Sequence, residues 1–241
     1  MKLSVIVPVY NEIATLETLL DRINRVALNV EKEIIVIDDG STDGSRELVK
    51  ALAADGTITA RFHERNIGKG GAIRTGIEAV TGDIIIIQDG DLEYDPSDYR
   101  KLIQPIIDGT ARAVYGSRIL GNNPRSYVRF YWGGRVLSFL ANRIYDTRIT
   151  DEPTCYKVFE TGLLKSMALE CTGFEFCPEV TAKLSRMGIR IKELPISYTP
   201  RSIKEGKKIR WTDGVIAIWT LWKYRKWVPA THDWDPTPDQ S

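Results

Sequence analysis

Apolar residues in the first half of the chain alternate between short uninterrupted runs and stretches with helical spacing. The clearest run is Ile84–Ile87, which is typical of a strand buried on both faces of a parallel sheet. This pattern predicts strands at Leu3–Val9, Glu33–Ile37, Ile58–His63, Ile84–Ile87 and Ala113–Gly116, and helices at Ile13–Val26, Ser45–Ala54, Ala72–Val80 and Ser97–Ile107, the last with Ser97 as its N-cap. The alternation predicts an α/β fold with a doubly wound, mostly parallel sheet and helices on both faces.

The alternation ends after Arg118. The remaining pattern predicts helices at Ser126–Tyr145, Glu179–Met187 and Asp213–Trp227, and strands at Val158–Phe159 and Ile189–Tyr198. We expect one catalytic domain over residues 1–210, with halves at 1–118 and 119–210. A Trp-rich amphipathic helix at 211–228 and a disordered tail at 229–241, rich in Pro and Asp, would follow.

Composition restricts the classes of function. The chain has 241 residues, of which 43% are hydrophobic, and a net charge of +1, which argues against nucleic acid as a partner. Its three cysteines lack metal-ligand spacing and are expected to be free thiols in a reducing cytosol. A strand starting in the first residues predicts no signal peptide, and no apolar run approaches the roughly 20 residues that span a bilayer. We therefore expect a cytoplasmic protein whose membrane contact is peripheral.

Polar side chains follow the predicted strands. Because the carboxyl ends of parallel strands share one edge of a sheet, these side chains should converge there. They include Tyr10, Glu12, Asp39 and Arg118. The most acidic of these turns holds Asp89, Asp91, Glu93 and Asp95, and repelling carboxylates favour Mg²⁺ or Mn²⁺. An acidic surface loop without a ligand is the alternative explanation.

Two other motifs match known sites poorly. The Asp38–Gly44 turn fails as an EF-hand, because Lys50 stands where the last ligand would be. The Gly68–Gly71 loop lacks the Ser or Thr of a P-loop and the glycine register of a dinucleotide site, which disfavours a dehydrogenase. Asp39 could still accept a hydrogen bond from a ribose or a base.

Together the motifs resemble family 2 glycosyltransferases, which have the GT-A, Rossmann-like fold. The matching stretches are Val7–Glu12, Asp38–Gly44, Asn66–Gly70, Asp89–Asp91 and Gly116–Arg118. Within that family the chain looks most similar to the dolichol-phosphate mannose synthase group. That comparison depends on Asp89–Glu93, Gly116–Arg118, Asp151 with Lys157, and the loop Pro200–Lys208.

The resemblance implies a role for each matching residue. Asp91 and Arg118 would be catalytic, and a GDP- or UDP-sugar donor would contact Pro8, Tyr10, Glu12, Ile37, Asp39, Lys69, Asp89, Gly90, Asp91, Arg201 and Lys207. Asp89, Asp91 and Glu93 would hold the metal. Arg118, Arg129 and Arg135 would bind the phosphate of a polyprenyl phosphate acceptor.

The chemistry of the acceptor agrees with this expectation. A phosphate is already ionised near neutral pH, its second pKa being about 6, so it attacks the anomeric carbon without a general base. Both histidines, His63 and His232, are badly placed for such a base. Glu175 and Glu179 could serve a hydroxyl acceptor, although carboxylates at a helix N-terminus also stabilise the helix.

The sequence therefore predicts a metal-dependent, inverting transfer of a sugar, mannose or glucose, to a polyprenyl phosphate. Transfer to a sugar hydroxyl is one alternative, and a nucleotide-binding subunit without turnover is another. The Trp-rich segment suits a membrane interface, or equally the core or a subunit contact.

Overall fold

The computed structural model describes residues 1–124, 128–201 and 211–229, with only the backbone at 128 and 129. Its strands form one seven-stranded sheet in the order β3-β2-β1-β4-β6-β5-β7. They are β1 (Lys2–Val9), β2 (Glu31–Asp38), β3 (Thr59–Phe62), β4 (Ile84–Ile87), β5 (Ala113–Ser117), β6 (Lys157–Glu160) and β7 (Ile191–Pro195). The predicted α/β fold with a mostly parallel sheet is confirmed.

Strand β6 is the exception to the parallel arrangement. It lies between β4 and β5 and is antiparallel to both. The carboxyl ends of the parallel strands meet at one edge of the sheet, and β6 begins at that same edge. Residues 151–156, which precede β6, are therefore brought to the edge where the polar strand ends lie.

The helices follow the predicted apolar spacing, except that the short helix Thr161–Ser166 was not predicted. They are α1 (Ile13–Arg25), α2 (Ser45–Ala54), α3 (Lys69–Ala79), α4 (Tyr99–Ile107), α5 (Val128–Tyr145), α6 (Thr161–Ser166), α7 (Phe176–Arg186) and α8 (Trp211–Lys223). Four residues of the apolar stripe predicted for α1 are buried, namely Leu16, Leu19, Leu20 and Ile23, whereas Ile13 at its start is exposed.

The predicted N-cap of the fourth helix was wrong. A 3-10 turn, Pro96–Asp98, precedes α4, and the side chain of Asp95 accepts a hydrogen bond from the Ser97 amide at 2.9 Å. Proline at the first position of that turn has no amide hydrogen to satisfy, so the chain starts turning one residue earlier than predicted. Asp95 therefore caps this turn, and Asp98 is the N-cap residue of α4 itself.

The sheet interior is the core of the protein. All four isoleucines of β4 are buried, as the uninterrupted run predicted. All three cysteines are free, and Cys155 and Cys171 are buried. The predicted basic loop beyond Arg201 and the predicted disordered tail from residue 230 lie outside the described residues.

One partly buried hydrogen-bond network makes stability depend on pH. Glu33 in β2 forms an ion pair with Lys2 at 2.6 Å and accepts a hydrogen bond from the Thr81 amide at 2.9 Å. Although burial opposes the change, hydrogen bonds from Lys2, Ser4 and Thr81 lower the pKa of Glu33 from 4.5 to about 2. The folded state is therefore stabilised above pH 4.5, and this contribution is lost as the pH falls towards 2.

We expect Glu33→Gln to lower the free energy of unfolding by about 1–2 kcal/mol at pH 7, after allowance for solvent screening. The difference from the wild type should shrink steadily below pH 4.5. Urea unfolding at several pH values measures it, with Glu17→Gln on the exposed side of α1 as the matched control. An equal destabilisation at every pH would contradict the assignment.

Candidate active site

A cavity of about 670 Å³ lies at the carboxyl edge of the sheet and is here called the acidic cavity. Its lining includes predicted donor residues from the ends of β1, β2 and β4, from the start of α3 and from the segment after β7: Pro8, Tyr10, Glu12, Asp39, Lys69, Asp89, Gly90, Asp91 and Arg201. The structure thus brings together residues that are up to 193 positions apart in the chain, from Pro8 to Arg201.

One predicted donor residue has another position, and a second is not described. Ile37 is fully buried, and a Cβ added at Gly76 of α3 would come within 2.9 Å of its Cδ1 atom. Ile37 therefore packs against α3 and does not line the cavity. Lys207 lies outside the described residues.

The sequence analysis also missed residues of the lining. Asn66, Phe174 and Asp213 line the acidic cavity, although none was assigned a contact with the donor. Asn66 belongs to the Asn66–Gly70 motif of the family resemblance, so the sequence already indicated that it lies near the donor. Phe174 and Asp213 follow no strand of the predicted sheet, so the strand-end argument could not find them.

Negative charge dominates the acidic cavity. Six of the described lining residues are carboxylates, including Asp89, Asp91 and Glu93, whereas the cations are Lys69 and Arg201. Asp89 forms an ion pair with Lys69, and Asp91 with Arg201 at 2.7 Å. A diphosphate would bring more negative charge, so the cavity suits a phosphate ligand only together with a cation.

The two aspartates differ in their proton affinity. Burial, and then the neighbouring charge of Asp89, raise the pKa of Asp91 to about 7. Although burial opposes the change, the Lys69 charge lowers the pKa of Asp89. The structure thus places the buried carboxylate of Asp91 beside the partly buried carboxylate of Asp89, and a divalent cation would relieve the repulsion between them.

The donor set of this turn fits Mg²⁺ or Mn²⁺, which prefer carboxylate oxygens and take one or two of them beside phosphate oxygens. Asp89 and Asp91 are placed for that role. Among the described residues no three His, Cys, Asp or Glu side chains are grouped closely enough to hold a metal ion, so the set of three carboxylates stays a prediction. Glu93 instead accepts hydrogen bonds from the Tyr198 hydroxyl at 2.9 Å and the Arg201 amide at 2.7 Å.

Asp39 fixes the glycine-rich loop at the opposite side of the acidic cavity. It accepts hydrogen bonds from the amides of Ile67 and Gly68, both at 2.9 Å, and its carboxylate lies 2.7 Å from His63 Nδ1. Gly68 has φ of +99°, and a Cβ there would lie 2.3 Å from the Thr172 carbonyl oxygen. Glycine is therefore required for the loop to pass Thr172.

The amides at the start of α3 are already used by the protein. Gly71 donates to the Thr172 carbonyl at 3.0 Å, and Gly70 donates to the Gly173 carbonyl at 3.1 Å. This explains in structural terms why the glycine-rich loop is unlike a P-loop. Its glycines allow close packing against residues 172–173.

A second cavity, of about 270 Å³, lies at the same edge and is here called the arginine cavity. Arg118, Arg135 and Asp151 are its charged lining residues in the described part of the chain. Arg118 donates through Nε and Nη2 to the two oxygens of Asp151, at 2.8 and 2.7 Å. Such a bidentate pair fixes the plane of the guanidinium group.

Asp151 is itself held from β7. Glu193 accepts hydrogen bonds from the amides of Thr150 at 2.6 Å and Asp151 at 3.0 Å. Arg135 donates to the Thr150 carbonyl at 3.2 Å, so both arginines are positioned by the same short segment. Of Arg129, the third predicted phosphate ligand, only the backbone is described.

Tyr198 connects the two cavities. Its ring centre lies 5.2 Å from the guanidinium carbon of Arg118 in the arginine cavity, and its hydroxyl donates to Glu93 in the acidic cavity. The main chain follows the same path, since the Thr199 amide donates to the Glu93 carbonyl at 2.9 Å. The cavities are therefore neighbours separated by one side chain.

Comparison with known proteins identifies the family. The family model described as glycosyl transferase family 2 matches residues 4–167. The chain belongs to glycosyl transferase family 2. It is therefore a glycosyltransferase, and the GT-A fold expected from the resemblance is confirmed.

Curated relatives of this glycosyltransferase include three that are named for lipid phosphate acceptors. An undecaprenyl-phosphate 4-deoxy-4-formamido-L-arabinose transferase of Aeromonas hydrophila is 40% identical over 85% of this chain and 62% of its own length. An undecaprenyl-phosphate mannosyltransferase of Micrococcus luteus is 29% identical, covering 86% and 87%. A UDP-N-acetylglucosamine–dolichyl-phosphate N-acetylglucosaminyltransferase of Methanococcus voltae is 28% identical, covering 85% and 89%.

Solved structures share the fold at lower identity. Glucosyl-3-phosphoglycerate synthase of Mycobacterium tuberculosis, in complex with Mn²⁺, UDP and glucosyl-3-phosphoglycerate, superposes with a TM-score of 0.69 at 22% identity, covering 95% of this chain and 81% of that one. The same enzyme with Mg²⁺ and UDP also gives 0.69, at 21% identity and with the same coverage.

The candidate general bases of the glycosyltransferase have structural partners. Glu179 is buried, accepts hydrogen bonds from the amides of Glu170 and Cys171, and pairs with Lys183 at 2.6 Å. Glu175 accepts from the amides of Thr172 and Gly173. Neither lines a described cavity, so the alternative that they stabilise local structure is favoured.

Two neighbouring helices of the glycosyltransferase expose large apolar side chains. The buried residues of helix α8 are Ala217, Thr220 and Leu221, whereas its tryptophan side chains are exposed to solvent. The apolar face, as we define it, comprises Trp132, Val136 and Phe139 of α5 and Trp211, Val215, Trp219 and Trp222 of α8. The core alternative is therefore not supported for Trp211, Trp219 and Trp222, whereas Trp227 is partly buried and packs against the core. No helix in the described part of the chain is both long and apolar enough to cross a membrane.

Proposed function

We propose that this glycosyltransferase transfers a hexose, mannose or glucose, from a GDP- or UDP-sugar to a polyprenyl phosphate with inversion at the anomeric carbon. The observation that carries the proposal is the pair of cavities on either side of Tyr198, one acidic and one holding two arginines. The names of the relatives support the same acceptor class.

In the proposed reaction the nucleoside diphosphate sugar lies in the acidic cavity. Asp89 and Asp91 would hold Mg²⁺ or Mn²⁺, and the bound cation would stabilise the negative charge that develops on the leaving diphosphate. Lys69 and Arg201 line the same cavity and supply the remaining positive charge. Pro8, Tyr10 and Asp39 also line this cavity, and base and ribose would lie against them.

The acceptor phosphate lies in the arginine cavity. Arg118, oriented by Asp151, and Arg135 neutralise the phosphate, so that two negatively charged reactants can approach each other. An oxygen of the phosphate attacks the anomeric carbon, the bond from that carbon to the diphosphate breaks, and the nucleoside diphosphate leaves. A single displacement inverts the anomeric centre.

The protonation state of the arginine cavity favours a phosphate over a hydroxyl acceptor. Asp151 is the one carboxylate among the described residues that line it. Although burial opposes the change, the Arg118 charge lowers the pKa of Asp151, which makes it a poor base. A hydroxyl acceptor would need such a base, whereas an ionised phosphate does not.

A panel of nucleotide sugars, incubated with Mn²⁺ and a short polyprenyl phosphate, tests the proposal. We expect a phosphate-linked sugar lipid, and no product from the matching polyprenol without phosphate. Equal transfer to a hydroxyl would favour the hydroxyl alternative. If the wild type and Asp91→Ala both bind nucleotide but transfer nothing, the protein is a nucleotide-binding subunit.

We further propose that the apolar face lies on the membrane that contains the acceptor. Helix α5 lines the arginine cavity with Tyr131 and Arg135 and exposes Trp132 and Phe139, so such contact would place the cavity near the bilayer. Exposed arginine and lysine side chains, such as Arg143 and Lys223, suit anionic lipids.

The double variant Phe139→Ser, Trp219→Ser should bind vesicles of phosphatidylcholine and phosphatidylglycerol about tenfold more weakly than the wild type, because two large apolar side chains are lost from the interface. Phe62→Ser, on the distant edge strand β3, is the control. Unchanged vesicle binding together with a loss of dimers in light scattering would show that the face is a subunit contact.

A further inference from the structure

The side chain of Arg201 contacts Asp91, one of the two proposed metal ligands. Its Nη2 atom lies 2.7 Å from Asp91 Oδ2, and its Nη1 atom lies 3.1 Å from Glu12 Oε2. The side chain is only 18% exposed, so these are contacts inside the acidic cavity. The guanidinium group thus supplies positive charge at the carboxylate that a divalent cation would use.

The main chain holds Arg201 at this place independently of its side chain. The amide of Arg201 donates to Glu93 Oε1 at 2.7 Å, and the preceding Thr199 amide donates to the Glu93 carbonyl. The acidic turn therefore anchors the backbone beside its own carboxylates. A substitution of the side chain leaves those anchoring bonds available.

The contacts of the guanidinium group are imperfect. Its Nε atom lies 4.0 Å from Glu93 Oε1, beyond hydrogen-bond distance, and its second contact with Glu12 is 3.4 Å long. An arginine whose donors are only partly used can gain by moving to a better anion. A diphosphate offers oxygens that match the planar group of donors.

A divalent cation and Arg201 cannot both use Asp91 without repelling each other at short distance. Lys69 already neutralises Asp89, so Asp91 is the carboxylate whose partner would have to change. When the cation binds, the guanidinium group must find another anion. The donor diphosphate would bring new anionic oxygens into the cavity that Arg201 lines, beside the Glu12 contact that the guanidinium group already makes.

We propose that Arg201 is an internal counter-ion that competes with the divalent cation for Asp91 and moves to the donor diphosphate when the cation binds. This inference rests on the proposed function for its metal and its donor. This competition makes the binding of cation and nucleotide cooperative. The nucleotide diphosphate accepts the guanidinium group that the cation displaces, and the cation frees the guanidinium group that the diphosphate binds. Without nucleotide the metal then binds weakly, because Arg201 competes with it for Asp91.

The test is the Mn²⁺ affinity of the full chain without nucleotide, measured from the electron paramagnetic resonance signal of free Mn²⁺. Arg201→Gln should bind Mn²⁺ about tenfold more tightly than the wild type, which lies within the usual range of such coupling. In saturating Mn²⁺ the same variant should bind UDP or GDP about tenfold more weakly. The two changes have opposite signs, which a purely structural arginine would not produce.

Two further variants make the comparison specific. Arg201→Lys keeps the charge and should leave Mn²⁺ affinity near the wild-type value. Arg112→Gln removes an arginine paired with Glu160, which lines neither cavity, and should change neither affinity. Melting curves of all variants establish that they are folded.

The outcomes separate this inference from the proposed function. Unchanged or weaker Mn²⁺ binding by folded Arg201→Gln overturns the competition, even if the wild type transfers sugar. Tighter Mn²⁺ binding in a protein that transfers no sugar supports the competition and refutes the proposed reaction.

Discussion

Asp91→Asn should lower the rate of sugar transfer by about 1,000-fold at saturating donor, the size of effect seen when a group that stabilises transition-state charge is removed. Asparagine keeps the shape of the side chain and removes its negative charge. The cation would then be held by Asp89 alone, whose own charge is shared with Lys69. Initial rates with Mn²⁺ measure the loss, and a chelator should abolish the activity of the wild type.

The matched control is Asp108→Asn, an exposed aspartate at the end of α4, for which the rate should not change. The Asp91→Asn variant should melt at or above the wild-type temperature, since its buried carboxylate is poorly neutralised. A transfer rate within tenfold of the wild type, in protein that still requires Mn²⁺, would remove Asp91 from the proposed mechanism.

Arg118→Lys should lower kcat/KM for the lipid phosphate by about 100-fold or more while the KM for the nucleotide sugar stays nearly constant. Lysine keeps the charge but cannot make the two parallel hydrogen bonds to Asp151. The positive charge would lose its fixed orientation in the arginine cavity. Steady-state rates with each substrate varied in turn measure the split between acceptor and donor.

Asp151→Asn tests the same unit from its other side. Because the two residues act together, the double variant should be hardly worse than either single variant. Equal losses in the kinetic constants for donor and acceptor would show instead that the pair holds the fold. An intact kcat/KM for the acceptor in Arg118→Lys would place the phosphate elsewhere.

Much of the donor side could be predicted because local sequence decides it. The isoleucines of β4 predicted a doubly buried strand, and the polar residues after β1, β2 and β4 had to share an edge once the strands were parallel. Asp39 and Asp91 follow directly from that geometry. Their predicted positions required no knowledge of long-range contacts.

The acceptor side depends on contacts that no local pattern encodes. The apolar run at β6 predicted a strand but carried no information on its direction. Glu93 resembled a metal ligand by its spacing, yet its partners are Tyr198 and Arg201, more than 100 positions away. The pairing of Arg118 with Asp151 was not predicted, because nothing in the residues themselves brings these two together.

The position of β6 has a consequence for how the protein can be made. Strand β5 pairs only with β6 and β7 in the described sheet, and both are encoded later in the chain. A fragment ending at residue 118 would contain β5 without either neighbour. During synthesis on the ribosome, β5 can pair with both β6 and β7 only after residue 195, the end of β7, has emerged. We therefore expect a fragment that ends at residue 118 to leave β5 unpaired, and a split or swapped version of the enzyme should be cut elsewhere.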